Sequence, residues 1–152
     1  MDNMLLVIGC GNTHRRDDGV GPKVAVAVEA LHLPGVLTMA CPRLTAELAD
    51  PLAHAGAAIF VDAAVDDPRH LGIHRLDPSG SLMPETEASD PSTLLALARD
   101  AFGRAPEAWM LTVPAEELGC GESLSPIALQ GVKKAVQAVM AMHCNMRYRG
   151  EN

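Results

Sequence analysis

The stretch LLVIGCGNTHRRDDGVG, residues 5–21, decides how this chain folds. It continues a short apolar run over residues 4–8 that ends at Gly9, as expected of a strand buried on both faces of a parallel sheet. After a glycine-rich turn and two acids the chain enters residues 20–31, where Pro22 suits the first turn of a helix. A buried strand followed directly by a helix predicts the start of an α/β fold.

Strands and helices continue to alternate along the rest of the chain. Apolar runs predict a second strand at residues 36–40 and buried strands at 57–61 and 108–113, and helical spacing predicts helices at 44–55, 92–102 and 125–142. Residues 71–76 alternate apolar and polar side chains, as an edge or antiparallel strand would, and residues 78–91 read as a long exposed loop. We therefore expect one domain over residues 1–152, a three-layer α/β/α sandwich with a mostly parallel sheet.

Composition and charge exclude several classes of protein. The net charge of -7, from 12 basic and 19 acidic side chains, would repel a phosphate backbone, and no basic stripe interleaved with aromatics is present. The first apolar run is too short for a signal peptide, and none approaches the roughly 18 residues of a membrane span. The expectation is a cytoplasmic protein that binds neither nucleic acid nor membrane, of unknown oligomeric state.

Four cysteines, Cys10, Cys41, Cys120 and Cys144, lie far apart in the sequence with no C-x-x-C pair. Neither a zinc knuckle nor a dithiol redox motif is indicated, so buried free thiols are the simplest interpretation. Cys10 also has a functional interpretation. It lies just after the first strand, and a thiolate there could join a soft-metal site.

Acidic side chains follow two of the predicted strands. Asp17 and Asp18 lie in the loop after strand one, and Asp62 ends strand three. Carboxyl ends of parallel strands share one rim of the sheet, and carboxylates gathered there repel one another unless a cation neutralises them. Asp18 and Asp62 are the first two candidate ligands of a divalent metal. The simpler alternative is that Asp17 or Asp18 caps the helix that begins near Gly19.

Two other α/β site types fit less well. A dinucleotide-binding turn would need a small residue where His14 stands, and the two acids would face its phosphates. A phosphoacceptor receiver domain would use Asp62, but it needs a lysine at the end of the last strand, where Thr112-Val113-Pro114 stands.

The opening stretch, from Gly9 to Gly21, resembles the G-x-G-N-x-x-x-x-D-[DE]-G-x-G motif of [NiFe]-hydrogenase maturation proteases. The resemblance continues through LTAELA (44–49), FVDAA (60–64) and GESLSP (121–126) with the closing helix. It implies an endopeptidase that removes the C-terminal extension of a nickel-loaded hydrogenase large-subunit precursor. The nickel arrives with that partner, and the motif positions place two of the family's nickel-recognising ligands on Asp18 and Asp62.

The family's third ligand is a histidine shortly before D-P-x-x-L-L-A-L-A, and Glu87 stands at that position here. A carboxylate makes the site harder and more anionic, which suits Mg, Mn or Zn better than nickel, so another divalent metal ion is an alternative. Glu87 could also be a solvated loop acid, with His14 or His74 as substitute ligands.

The expected chemistry is metal-assisted hydrolysis. A metal on Asp18, Asp62 and Glu87 would polarise the scissile carbonyl or acidify a bound water, and Asp17 would take the proton. Ser123 and Ser125 lack the strained elbow of a serine nucleophile, and Ser125 is more simply the N-cap of the last helix. The alternative function is a non-catalytic metal-sensing or chaperone-like module, in which Glu87 leaves binding but abolishes cleavage.

Overall fold

The computed structural model describes residues 4–66, 69–79 and 90–150, with side chains as far as residue 146. Five strands are present in this part of the chain: β1 (Leu5–Cys10), β2 (Val36–Cys41), β3 (Ala57–Ala64), β4 (Gly72–Leu76) and β5 (Glu107–Pro114). The α-helices are α1 (Val20–Ala30), α2 (Ala49–His54), α3 (Pro91–Phe102) and α4 (Pro126–Gly150). Short 3-10 helices at Arg16–Gly19 and Ala46–Leu48 precede α1 and α2.

The strands form one sheet in the order β2-β1-β3-β5-β4. Strand β1 pairs in parallel with β2 and β3, and β3 pairs in parallel with β5. Strand β4 pairs antiparallel to β5 at the sheet edge, which confirms the prediction for residues 71–76. The mostly parallel sheet and the three-layer arrangement predicted from the sequence are confirmed.

Helices cover both faces of the sheet, each over its own hydrophobic core. Alternate residues of β1 face opposite sides, so that Leu6 and Ile8 join the core under α2 and α3, whereas Leu5 and Val7 join the core under α1 and α4. This two-sided burial is why the central strands are continuous apolar runs. No helix of the described residues is long and apolar enough to cross a membrane.

The glycines of the opening stretch allow α1 to begin directly against the sheet. A Cβ on Gly9 would overlap the carbonyl oxygen of Gly21, and a Cβ on Gly21 would overlap the backbone of Cys10 and Val61. Gly11 has φ +149°, and a Cβ there would overlap the carbonyl oxygen of Asp18. The spacing of the motif therefore lets the loop after β1 fold back onto the strand it leaves.

Several elements are longer or shorter than predicted. Strand β1 continues through Cys10, and β3 continues through Ala64, so that Asp62 lies within β3 rather than at its end. The predicted second helix divides into a 3-10 turn and the short α2. Helix α4 extends to Gly150, well beyond residue 142, because Met142 and Met146 prolong the apolar stripe that packs on the core.

Candidate functional site

The strand order reverses beside β1, between β1 and β3. From β1 the chain crosses to β2 on one side, and it then returns to β3 on the other side. In open α/β sheets ligands bind outside the carboxyl ends of the strands at such a reversal. We call this place the rim, meaning residues 11–19 together with the last residues of β1 and β3.

Four side chains form a row across the strands at the rim. Cys41 is the register partner of Cys10, and Thr112 is the register partner of Asp62. Gly9 pairs with Val61, so the next position of the same register sets Cys10 beside Asp62. Register partners in a parallel sheet present their side chains on the same face. This cross-strand row (Cys41, Cys10, Asp62 and Thr112) lies on the face that α2 and α3 cover.

Asp62 is half-buried, and one of its carboxylate oxygens is committed to the backbone. Its Oδ1 accepts a hydrogen bond from the amide of Ala63 at 2.8 Å. Burial raises the pKa of Asp62, and the negative charge of Asp18 raises it further, against the lowering effect of the Ala63 hydrogen bond. The ionised form of Asp62 is therefore disfavoured in the fold, and a nearby cation would stabilise it.

Asp18 is held in the loop after β1, where its charge acts on Asp62. Its Oδ2 accepts a hydrogen bond from the amide of Asn12 at 2.9 Å, and Asn12 Oδ1 accepts one from the amide of His14 at 2.9 Å. Within the described residues, these contacts leave Oδ1 of Asp18 and Oδ2 of Asp62 without a hydrogen bond. The structure therefore brings the two candidate ligands together as electrostatic neighbours.

Asp17 has very different surroundings from those of Asp18. Its side chain is 0% exposed. Its Oδ2 accepts hydrogen bonds from the amides of Glu116 and Glu117 at 2.9 Å each and from the Ser125 hydroxyl at 2.6 Å. Its Oδ1 accepts a fourth hydrogen bond, from the amide of Ser125, at 2.8 Å. One buried carboxylate thus binds the loop after β1 to the connection between β5 and α4.

The hydrogen bonds of Asp17 bear on the proton-accepting role expected of this residue from the sequence, which stays a prediction. Burial acts to raise the pKa of Asp17, but the hydrogen bonds from Ser125, Glu116 and Glu117 outweigh it and lower the pKa. A buried carboxylate with four donors and a lowered pKa is poorly suited to remove a proton from water. It does not cap α1 either, because Gly19 stands at that N-cap and no side chain hydrogen-bonds there.

The two loops also share backbone hydrogen bonds. The amide of Arg16 donates to the carbonyl of Gly121 at 2.8 Å, and the amide of Gly121 donates to the carbonyl of His14 at 2.9 Å. Arg16 has φ 47°, and its Nε donates to the carbonyl of Ser123 at 3.1 Å. The amide of Ala128 donates to Ser125 Oγ at 3.2 Å, so the predicted N-cap of the last helix is confirmed.

The other predicted site residues lie apart from the acid pair or beyond what the structure describes. Glu87 falls among residues 80–89, outside the described residues. His14 is exposed, with Nδ1 3.5 Å from Glu122, and His74 is exposed on the edge strand β4. Among the described residues, no group of three or more His, Cys, Asp or Glu side chains could hold a metal ion. The metal-ligand assignment of Asp18 and Asp62 stays a prediction, and two oxygen donors alone would need further ligands to hold a divalent cation.

Two thiols stand beside the acid pair, of which the sequence pointed only to Cys10. Hydrogen bonding with Cys41 raises the pKa of Cys10, and burial and the charges of Asp62 and Asp18 raise it further. The same hydrogen bonding lowers the pKa of Cys41. Cys41 and Thr112 were missed because only strand register sets them in the cross-strand row. The signal that could have found them is that Cys41 ends β2 and Thr112 lies two residues before the end of β5.

The fold is a three-layer α/β/α sandwich with a mostly parallel sheet, and solved structures share it. HybD, a hydrogenase maturating endopeptidase from E. coli, is 22% identical with TM-score 0.73, and the match covers 91% of each chain. HycI, a [NiFe] hydrogenase maturation protease from Thermococcus kodakarensis KOD1, is 19% identical with TM-score 0.71, covering 90% of each chain. HybD from the same species is 22% identical with TM-score 0.69, covering 92% of this chain and 99% of that one.

Comparisons of sequence alone find no relative of this chain. No model of a protein family matches it, and no curated protein matches it. The structures named above are below 25% identical, so what they share with this chain is the fold. The resemblance carried by the opening motif is confirmed at that level, across about nine tenths of the chain.

Proposed function

We propose that this protein is an endopeptidase that removes the C-terminal extension of a nickel-loaded [NiFe]-hydrogenase large-subunit precursor. The proposal rests on the pairing of Asp18 with Asp62 at the strand-order reversal of a fold shared with hydrogenase maturation proteases. The carboxyl ends of the strands at such a reversal are where open α/β sheets bind ligands. The neighbours named as proteases favour an enzyme over a non-catalytic metal-sensing module.

The acid pair suits a metal that arrives with its own ligands. Each carboxylate has one oxygen fixed by a backbone amide, which leaves the second oxygen for a cation. Two oxygen donors are too few for a closed site, so a nickel ion held there would keep its remaining ligands from the substrate. Glu87 is proposed as a third donor, as its position in the motif implies, with another divalent metal ion as the alternative to nickel.

The residues of this chain then supply orientation and charge. A metal held there would polarise the scissile carbonyl or acidify a bound water. Asp18 and Asp62 would fix the substrate beside the rim, and only a precursor that carries the metal would neutralise their repulsion. Asp17 is proposed as a positioning residue that keeps Asp18 in place from the adjacent position in the loop.

The test is incubation of the protein with a nickel-loaded and a nickel-free large-subunit precursor, followed by intact mass measurement. We expect loss of the C-terminal extension from the nickel-loaded precursor alone. Cleavage of both precursors at the same rate would contradict recognition through the acid pair. Glu87→His addresses the metal-sensing alternative, which holds if the natural protein cleaves neither precursor and the variant gains cleavage.

A further inference from the structure

Cys10 and Cys41 are a pair of thiols that the proposed function does not use. They are register partners at the carboxyl ends of β1 and β2, and their side chains lie on the same face of the sheet. Both are half-buried, so each remains reachable by a small molecule. Cys41 Sγ lies 3.8 Å from the carbonyl oxygen of Gly9, which shows that this side chain leans across towards β1.

The spacing of neighbouring strands suits a disulfide that forms and breaks readily. Strands in a sheet lie about 4.8 Å apart. That distance falls within the Cα separation of about 4.4–6.8 Å that a disulfide spans, but it exceeds the usual Cβ separation of about 3.8 Å. A bond closed there is strained, and strained disulfides are the easily reduced ones.

We propose that Cys10 and Cys41 form a reversible intrachain disulfide when the protein meets a small-molecule disulfide such as oxidised glutathione. The thiolate of one cysteine attacks the glutathione disulfide, forms a mixed disulfide and releases one glutathione thiolate, which takes up a proton. The second cysteine, deprotonated in turn, attacks its neighbour's sulfur and releases the second glutathione. The protein loses two electrons and two protons, and one glutathione disulfide becomes two glutathione thiols.

The product would be a covalent tie between β1 and β2 in the row that contains Asp62. This inference does not depend on the proposed function, because the bond forms or fails to form whether or not the protein cleaves a peptide. Cys120 and Cys144 are both exposed, one in a loop and one on α4, and they react independently of the pair. Cys120→Ser/Cys144→Ser is therefore the background in which the pair is measured.

The experiment treats that double variant with oxidised glutathione under chelator, and then measures intact mass and maps cross-linked peptides. We expect a product lighter by two hydrogen atoms, a Cys10–Cys41 peptide cross-link, and full reversal by excess dithiothreitol. Adding Cys10→Ser or Cys41→Ser should instead yield a stable adduct with one glutathione, because the second thiol is gone.

Two results would overturn the proposal. The first is a product that carries one glutathione on each of the two cysteines and contains no bond between Cys10 and Cys41. The second is the absence of any reaction at either thiol until the protein is unfolded. If a serine variant fails to fold, the peptide map of the wild-type chain decides alone, since a cross-link elsewhere or none contradicts the assignment.

Discussion

Asp17 and Asp18 are neighbours in one loop, yet their carboxylates have opposite surroundings. Asp17 is fully buried, and four hydrogen bonds from residues about a hundred positions away satisfy it. Asp18 accepts one backbone hydrogen bond, and its charge raises the pKa of Asp62. The same residue type is thus a fixed internal anchor at one position and a candidate metal ligand with fewer hydrogen bonds at the next. The comparison shows that two aspartates are told apart by the hydrogen bonds that their carboxylates accept, and not by residue type.

The largest effect should come from removing the charge of the anchor. We expect Asp17→Asn to lower the free energy of unfolding by about 3 kcal/mol or more, because it weakens several charge-assisted hydrogen bonds and turns an amide donor towards backbone donors. Asp18→Asn should change it by less than about 1 kcal/mol. Urea denaturation of both variants measures the two changes in the free energy of unfolding. Equal changes would contradict the expected difference between Asp17 and Asp18.

The reverse contrast is expected in precursor cleavage. Asp18→Asn and Asp62→Asn should each slow processing of the nickel-loaded precursor by at least about 100-fold. Substitution of residues that only hydrogen-bond to a metal ligand already lowers metal affinity or activity by about 10–100-fold. Both variants should remain folded, which circular dichroism checks. Wild-type rates in a folded Asp62→Asn variant would mean that the acid pair does not act on the metal.

A smaller effect is expected at the residue that joins the anchor to α4. Ser125→Ala removes the N-cap of α4 and the hydroxyl donor to Asp17, for a loss of about 2 kcal/mol. Ser123→Ala is the matched control, because the contact of Ser123 with Arg16 uses the backbone carbonyl, and it should cost less than about 0.5 kcal/mol. Thermal unfolding of the two variants side by side compares their melting temperatures. A larger decrease for Ser125→Ala would show that the hydrogen bonds of Ser125 stabilise the fold, and not merely a serine in this segment.

The smallest effects concern pH, and their signs should differ between the two acids in metal-free protein. The pKa of Asp17 is lowered in the fold, so its charge adds stability that is fully present above the ordinary pKa of an aspartate and is lost as the pH falls through the folded pKa. The pKa of Asp62 is raised, so its contribution is present at low pH and is lost as the pH rises through the folded pKa.

Consequently the destabilisation by Asp17→Asn should shrink in acid, whereas Asp62→Asn should stabilise the protein near neutral pH and have little effect in acid. Denaturant unfolding at a series of pH values, with chelator present, measures both trends. Parallel trends in the two variants would show that burial and hydrogen bonding do not separate these carboxylates.

Much of the fold was predictable because it depends on local patterns. Apolar runs located β1, β2, β3 and β5, and the alternation at residues 71–76 placed β4 at an edge. Strand β2 forms the other edge of the sheet and has no fully buried residue. The boundaries were less accurate where tertiary contacts decide them. Strand β3 continues past Asp62 because β5 pairs with it as far as Pro114, and α4 continues because Met146 still meets the core.

The candidate site was predictable only in part. Asp18 and Asp62 follow from the rule that parallel strands end at one rim, together with the family motif. The role of Asp17 did not follow, because its donors come from residues 116, 117 and 125, and no local signal connects them to the loop after β1. Cys41 was missed for a similar reason, since its partnership with Cys10 exists only once β1 and β2 pair.

The bond between Asp17 and Ser125 spans 108 positions of the chain, which has a consequence for the order of events during synthesis. While the ribosome is still translating the segment before α4, the Asp17 carboxylate has none of its hydroxyl or amide donors from Ser125. The loop that holds Asp18 therefore cannot reach its final shape until the last helix begins to emerge. Nascent chains that already contain β1, β2 and β3 should therefore lack the final arrangement of this loop, which would form late in translation.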